Sequence, residues 1–172
     1  MRPSSALADK ILPLDALLER LAPLRAGGGI VFTNGCFDLL HPGHVDLLHR
    51  ARELGRVLVV GLNSDASVTG LKGPSRPVTP FADRALVLAG LASVDFVTGF
   101  DAPTPRELIE AVLPHVLVKG GDWPVESIVG RDAVERAGGR VLSLPLLPGY
   151  STTETLRRAL SLAEPARERS GS

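Results

Sequence analysis

A chain of 172 residues, 44% of them apolar, can bury one sizeable core and is short for two. Its 19 Lys+Arg balance 19 Asp+Glu, so no basic excess marks a surface for nucleic acid or an anionic membrane, and a phosphate ligand must be held by local groups. The single cysteine, Cys36, excludes an intrachain disulfide; no apolar run reaches the roughly 18 residues of a membrane span and no leader pattern opens the chain, so the expected setting is the reducing cytoplasm.

Residues 1–29 read as an N-terminal extension and helix. Met1–Lys10 is expected to be poorly ordered; Leu14, Leu17, Leu18, Leu21 and Leu24 then keep helical spacing until Gly27-Gly28-Gly29 stops it. Residues 30–162 form the expected domain. Ile30–Phe32 is a β-branched-rich strand, broken by Asn34 and Gly35; His41-Pro42-Gly43-His44 follows, and the pattern is helical to about Leu54. Arg56–Leu62 is a continuous apolar run, typical of a parallel strand covered on both faces. Asn63-Ser64-Asp65 caps a short turn or helix, Gly70–Pro77 reads as a loop, and Phe81–Leu91 as a helix. Val94–Thr98 is the third expected strand. Pro105–Leu113 is a helix with Thr104 as cap and Pro105 in first position. His115–Lys119 and Arg140–Leu144 are strands four and five, with a helix over Arg131–Ala137 between them. Ser151-Thr152-Thr153 opens a last helix to about Leu162, and residues 163–172 read as a disordered tail.

This alternation predicts a single α/β domain, doubly wound and Rossmann-like, with a mostly parallel sheet of about five strands and helices on both faces. Ligands of such sheets bind at the carboxyl ends of the strands. The polar loops Asn34–His44, Asn63–Arg76, Lys119–Trp123 and Leu147–Thr153 all fall at that edge.

Strand, glycine-containing loop and helix start in succession are the layout for holding a phosphate, because a helix N-terminus offers unpaired N–H groups and a partial positive charge. His41 and His44 flank Gly43 there. Each neutral imidazole carries one N–H to donate to a phosphoryl oxygen. Two histidines are too few for structural zinc. Lys72 and Arg76, in the loop after the second strand, are candidate phosphate contacts. Ser151, Thr152 and Thr153 include one cap, and three hydroxyls at a helix start exceed what a cap needs; they make a second anion site. Asp38 and Asp122 can each hold a ligand hydroxyl or Mg2+, and Trp123 either covers a base or sugar or closes the core edge. Cys36 reads as a buried packing residue. Neither a Walker loop nor a dinucleotide fingerprint is present.

These residues resemble the nucleotidyltransferase superfamily with the His-x-Gly-His signature. Over Val31–Leu160, the ordered motifs VFTNGCFDLLHPGH, GLNSDASV, LKGPSRPV, DRA, TPRELI, LVKGGDW and GYSTT are similar to the D-glycero-β-D-manno-heptose 1-phosphate adenylyltransferases, which stand alone or form half of a bifunctional kinase/adenylyltransferase. With no kinase-like half ahead of them, the stand-alone form is expected. The resemblance implies transfer of AMP from ATP to a heptose 1-phosphate, with Mg2+, releasing pyrophosphate. It puts His41 and His44 on the α-phosphate, Lys72 between ATP and sugar phosphate, and Ser151, Thr152 and Thr153 on the outer phosphates. Thr33, Asn34, Gly35, Cys36, Phe37, Gly43, Gly120 and Asp122 are implied on the nucleotide. Asp38, Asn63, Arg76 and Trp123 are implied on the substrate, with Asp38 also the candidate Mg2+ contact. ATP and a sugar phosphate are the implied partners, and homo-oligomers are common in the family. A CTP-dependent transferase acting on glycerol or ethanolamine phosphate, and a non-catalytic nucleotide-binding module, are the rival readings.

Overall fold

The computed structural model describes residues 5–163. A short helix α1 (Ser5–Ala8) leads to α2 (Leu14–Arg25), β1 (Ile30–Gly35), α3 (Pro42–Arg52), β2 (Val57–Asn63), α4 (Asp65–Lys72), α5 (Phe81–Ala89) and β3 (Phe96–Phe100). Then come α6 (Arg106–Val112), β4 (Val116–Gly120), a 3-10 turn (Val125–Ser127), α7 (Arg131–Arg136), β5 (Arg140–Leu144) and α8 (Thr152–Ala163). The five strands form one parallel sheet in the order β3-β2-β1-β4-β5. The chain winds outward from β1 to β3, then returns through α6 to place β4 on the other side of β1. That reversal opens a crevice between the carboxyl ends of β1 and β4, where doubly wound folds bind ligands.

Each strand's two-residue alternation feeds two cores. Val31, Leu58, Val60, Val97 and Val118 pack on one face against Leu47, Leu48 and Ala51 of α3 and Ala85 and Leu88 of α5. Ile30, Phe32, Val59, Leu117 and Val141 pack on the other against Leu17 and Leu21 of α2, Leu108 and Ile109 of α6 and Val134 of α7. The apolar runs of β1, β2 and β4 are continuous because both faces are covered. Gly28 and Gly29, at φ 67° and 89°, make the turn from α2 into β1, a backbone region that side chains resist. The Gly29 carbonyl accepts from Arg56 and Val57 N–H, which starts β2 in register.

Several boundaries differ from the sequence expectation for identifiable reasons. Ser5–Ala8 is helical, and the backbone of Lys10 and Leu12 hydrogen-bonds that of Val97, so this lead-in is tied to the β3 edge; Met1–Ser4 lie outside the described residues. β3 starts at Phe96 because the Asp95 carboxylate is used to accept from Leu58 N–H at 2.7 Å and to pair with Arg52 at 2.8 Å. Pro105 precedes α6 instead of opening it, and no side chain caps that helix. The expected loop from Gly70 shortens: Gly70, Leu71 and Lys72 are the last turn of α4, which Ser64 caps by accepting from Ser67 N–H at 3.2 Å. Of the expected disordered tail, residues 164–172 lie outside the described region.

Candidate active site

His41 is the N-cap of α3 and Pro42 its first residue, where a missing N–H costs nothing. This places both imidazoles at the helix N-terminus. The rings stack with centroids 3.7 Å apart and planes 17° from parallel. Phe37 lies against His44 at 5.1 Å, its own backbone in the left-handed region at φ 43°. Such strain in a non-glycine residue persists only where surroundings over-determine it. The Nδ1 atoms of both histidines are buried without a hydrogen-bond partner. Burial lowers His41, and burial followed by the charges of His41 and Lys72 lowers His44 to about 4, so the pair is neutral at physiological pH. Neutral imidazoles at a helix N-terminus offer an anion N–H donors beside the helix's own unpaired amides.

Gly43 is needed for packing. A Cβ there would lie 3.2 Å from His41 Cε1 and Nδ1 and 3.4 Å from Tyr150 Cβ. Gly43→Ala is therefore expected to tilt the His41 ring and lower kcat/KM by ~10-fold, with little change in melting temperature. Steady-state kinetics beside a thermal melt check this.

Asp38 is buried, and its carboxylate accepts from Val78 N–H at 2.8 Å and Thr79 N–H at 3.0 Å and is paired with Arg76. Burial alone would raise its pKa, but the Thr79 and Val78 amides with the Arg76 guanidinium hold it below the ordinary value. Asp38 and Arg76, both expected on substrate, are thus each other's partners; together they fasten the segment after α4 against the histidine loop. A second clamp was not legible in the sequence. The buried Arg84 guanidinium donates to the carbonyls of Thr79 (2.9 Å) and Cys36 (2.6 Å) and to Asp65 (2.7 Å). Its only sequence signal was its place in the DRA motif.

The last helix comes to the same place. Tyr150 stacks over His41 at 6.5 Å and 20°. Ser151 caps α8, accepting from Glu154 N–H at 3.0 Å. The hydroxyls of Thr152 and Thr153 have no hydrogen-bond partner among the described residues. The imidazole pair and the hydroxyl-tipped helix therefore share one edge of the sheet.

Across the β1/β4 crevice lies a pocket of about 200 Å³ whose walls include Asn34, Pro105, Lys119, Trp123 and Ile128. Trp123 is 54% exposed, so it stands at the rim and closes no core. Lys119 is half-buried, and burial lowers its pKa, with nearby Cys36 opposing. The sequence put it at the ligand edge, in the polar stretch Lys119–Trp123, but did not say which way its side chain faces.

The remaining candidates divide. Thr33 is buried inside β1, Gly35 and Gly120 end β1 and β4, and Asp122 is exposed in the loop beyond β4. Asn63 is buried and donates to Ser67 Oγ at 3.0 Å. Cys36 is half-buried, not fully packed as expected, and donates weakly to Asn63 Oδ1 at 3.9 Å, because it sits on the loop and not beneath it. Lys72, displaced from loop to helix end, is exposed, yet its charge acts on His44. No group of three His, Cys, Asp or Glu among the described residues is placed to hold a metal. No described helix is long and apolar enough to cross a membrane.

A parallel α/β sheet with paired histidines on one helix start and hydroxyls on another, at one edge, is the arrangement that the resemblance to nucleotidyltransferases implies. A sequence profile described as cytidylyltransferase-like matches residues 32–158, and the chain belongs to that family. It is 54% identical over 160 residues to the "Bifunctional protein HldE" of Halorhodospira halophila, covering 92% of this chain and 34% of that protein. It is 53% identical over 153 residues to the protein of the same name from Mesorhizobium japonicum, covering 88% and 31% respectively. The chain thus spans about a third of the length of these relatives. Among solved structures, the fold is shared with a pantoate-beta-alanine ligase from Francisella tularensis (TM-score 0.59, 14% identity, 90% of this chain and 77% of that one). It is also shared with a lipopolysaccharide core biosynthesis protein from Thermoplasma volcanium (TM-score 0.56, 24% identity, 69% and 95%).

Proposed function

We propose that the chain transfers AMP from ATP to the phosphate of a heptose 1-phosphate, D-glycero-β-D-manno-heptose 1-phosphate by its motifs, giving ADP-heptose and pyrophosphate in the cytoplasm. The observation that carries this is the stacked, neutral His41–His44 pair with Tyr150, the residue before the α8 cap, stacked over His41, which brings the imidazoles and the α8 N-terminus together. The similarity to the HldE proteins, at more than half identity, supports the sugar.

An oxygen of the acceptor phosphate attacks the α-phosphorus of ATP in line. One P–O bond forms, the bond to the β-phosphate bridging oxygen breaks, and the pyrophosphate leaves with that bond's electron pair. The nucleophile is already an anion, so no general base and no covalent enzyme intermediate are needed. The protein contributes position and charge stabilisation. His41 and His44 donate N–H to the α-phosphate oxygens where charge builds. Lys72 approaches from the end of α4 to neutralise the same phosphate. Thr152 and Thr153, with the α8 dipole, hold the outer phosphates. Gly35 and Gly120, implied on the nucleotide, instead make room for the chain itself, since a Cβ would meet Phe37 at the first and Leu47 and Leu146 at the second; Asp122 is free to hold a ribose hydroxyl.

Mg2+ enters with the triphosphate as part of the substrate. The chain's donors do not form a cage for it: Asp38, the candidate ligand, has its carboxylate occupied by Arg76 and two backbone amides. An ion held chiefly by substrate phosphates and water is normal for Mg2+.

The family's cytidylyltransferase-like description keeps CTP as the rival donor. Incubating the protein with ATP or CTP and a panel of sugar, glycerol and ethanolamine phosphates, then identifying the nucleotide product, separates the two. ADP-heptose formed only from ATP is the expected result. A CDP-alcohol product would replace the proposal, and nucleotide binding without pyrophosphate release from any pair would leave a binding module.

A further inference from the structure

Apart from Lys72, which the resemblance puts between ATP and the sugar phosphate, and Trp123 at the pocket rim, the groups assigned so far grip ATP. One cation at the sheet's ligand-binding edge has no assignment. Lys119 lies next to last in β4, the strand beside β1 at the crevice. Its side chain is half-buried, and it makes no hydrogen bond or ion pair among the described residues. The neighbouring cations are committed: Arg76 to Asp38, Arg84 to Asp65 and two carbonyls. Asp122, close by in the chain, is exposed and forms no ion pair either, so it does not neutralise Lys119. A lysine held out of water without a counter-ion is unfavourable, and the imbalance is relieved by an anion from outside the chain.

The surrounding pocket says which anion. At about 200 Å³ it admits one ring-sized group and not a whole nucleotide. Trp123 presents a half-exposed indole at its rim, a flat apolar surface for the C–H face of a pyranose. Asn34 offers both a donor and an acceptor to a hydroxyl. A charged amine in such a pocket gains more from a phosphate than from a neutral base. The pocket has Pro105, the residue before α6, in its wall, and the histidine pair starts α3, so the two flank the crevice where β1 and β4 end.

We propose that Lys119, with Asn34 and Trp123, forms the acceptor subsite, the lysine holding the attacking phosphate of the sugar phosphate and the indole covering its ring. This rests on the nucleotidyl-transfer reading above.

Calorimetry tests it without turnover. A heptose or hexose 1-phosphate is titrated into the full chain saturated with a non-hydrolysable ATP analogue, for wild type, Lys119→Met, Lys119→Arg and Trp123→Ala. Lys119→Met is expected to weaken the sugar phosphate by ~10-fold or more while the ATP analogue stays within about twofold, with Lys119→Arg recovering most of the loss. Trp123→Ala, at an exposed position that leaves the fold intact, is expected to weaken the sugar phosphate by ~10-fold and spare inorganic phosphate. In steady state, the acceptor KM rises in both variants more than the ATP KM. Unchanged sugar-phosphate affinity in both variants, or a loss that falls on the ATP analogue, overturns the subsite. A wild type that binds sugar phosphate with these dependences but makes no nucleotide-sugar overturns the reaction and leaves the subsite standing.

Discussion

His44→Ala is expected to lower turnover by ~10²-fold or more, the usual scale for losing one preorganised donor to a transition-state oxyanion. The loss should fall on kcat more than on the KM for ATP, because charge on the α-phosphate oxygens grows only as the acceptor arrives. Pyrophosphate release measures the rate. A melting temperature within a few degrees of wild type shows that the fold survives, since α3 keeps its packing through Leu47, Leu48 and Ala51. A variant within twofold of wild type would remove the imidazole pair from the reaction. The same ring gives a stability signature. The unfolded chain takes up the His44 proton near the ordinary 6.5, while the folded chain resists until about 4. Protonation therefore favours unfolding, and stability falls as pH drops through that window. His44→Gln should flatten this decline, as denaturant midpoints at pH 7 and pH 5 would show.

Asp38→Ala should be the most destabilising polar substitution in the site, by about 3–5 kcal/mol. It strands a guanidinium whose side chain is only 14% exposed and leaves the Val78 and Thr79 amides unpaired. At about 2–4 °C per kcal/mol for a chain of this size, the melting temperature falls by ~10 °C. Activity should fall too, because the segment after Lys72 loses its anchor. Asp38→Asn separates anchoring from metal binding: it keeps one acceptor and is expected to leave the Mg2+ concentration for half-maximal rate unchanged. A several-fold rise in that concentration would make Asp38 a metal ligand after all.

Most of the architecture was legible because it is written in short-range pattern. Continuous apolar runs at β1, β2 and β4 announce strands covered on both faces, and leucine spacing in α2 announces a helix on one of them. Errors gathered where a local signal was outweighed. Gly70 suggested a loop, but the Ser64 cap and the burial of Ser67 and Val68 carry α4 through it. Val94 looked like strand, but the carboxylate beside it was spent on β2 and Arg52.

The site divides in the same way. His41, Gly43, His44 and the Ser151-Thr152-Thr153 run could be picked out because their chemistry depends on helix starts, which are local features of the chain. Which of the other polar residues face a ligand is set by contacts between distant segments. Asp38 meets Arg76 across 38 residues, Arg84 reaches the Cys36 carbonyl across 48, and Tyr150 covers His41 from beyond the last strand. Strand order brings β4 beside β1, and only that turns Lys119 from the end of an apolar run into an unpaired cation at a pocket. Period and composition state that a segment is a strand or a helix; they do not state its neighbours, because pairing is chosen by the packing of the whole sheet.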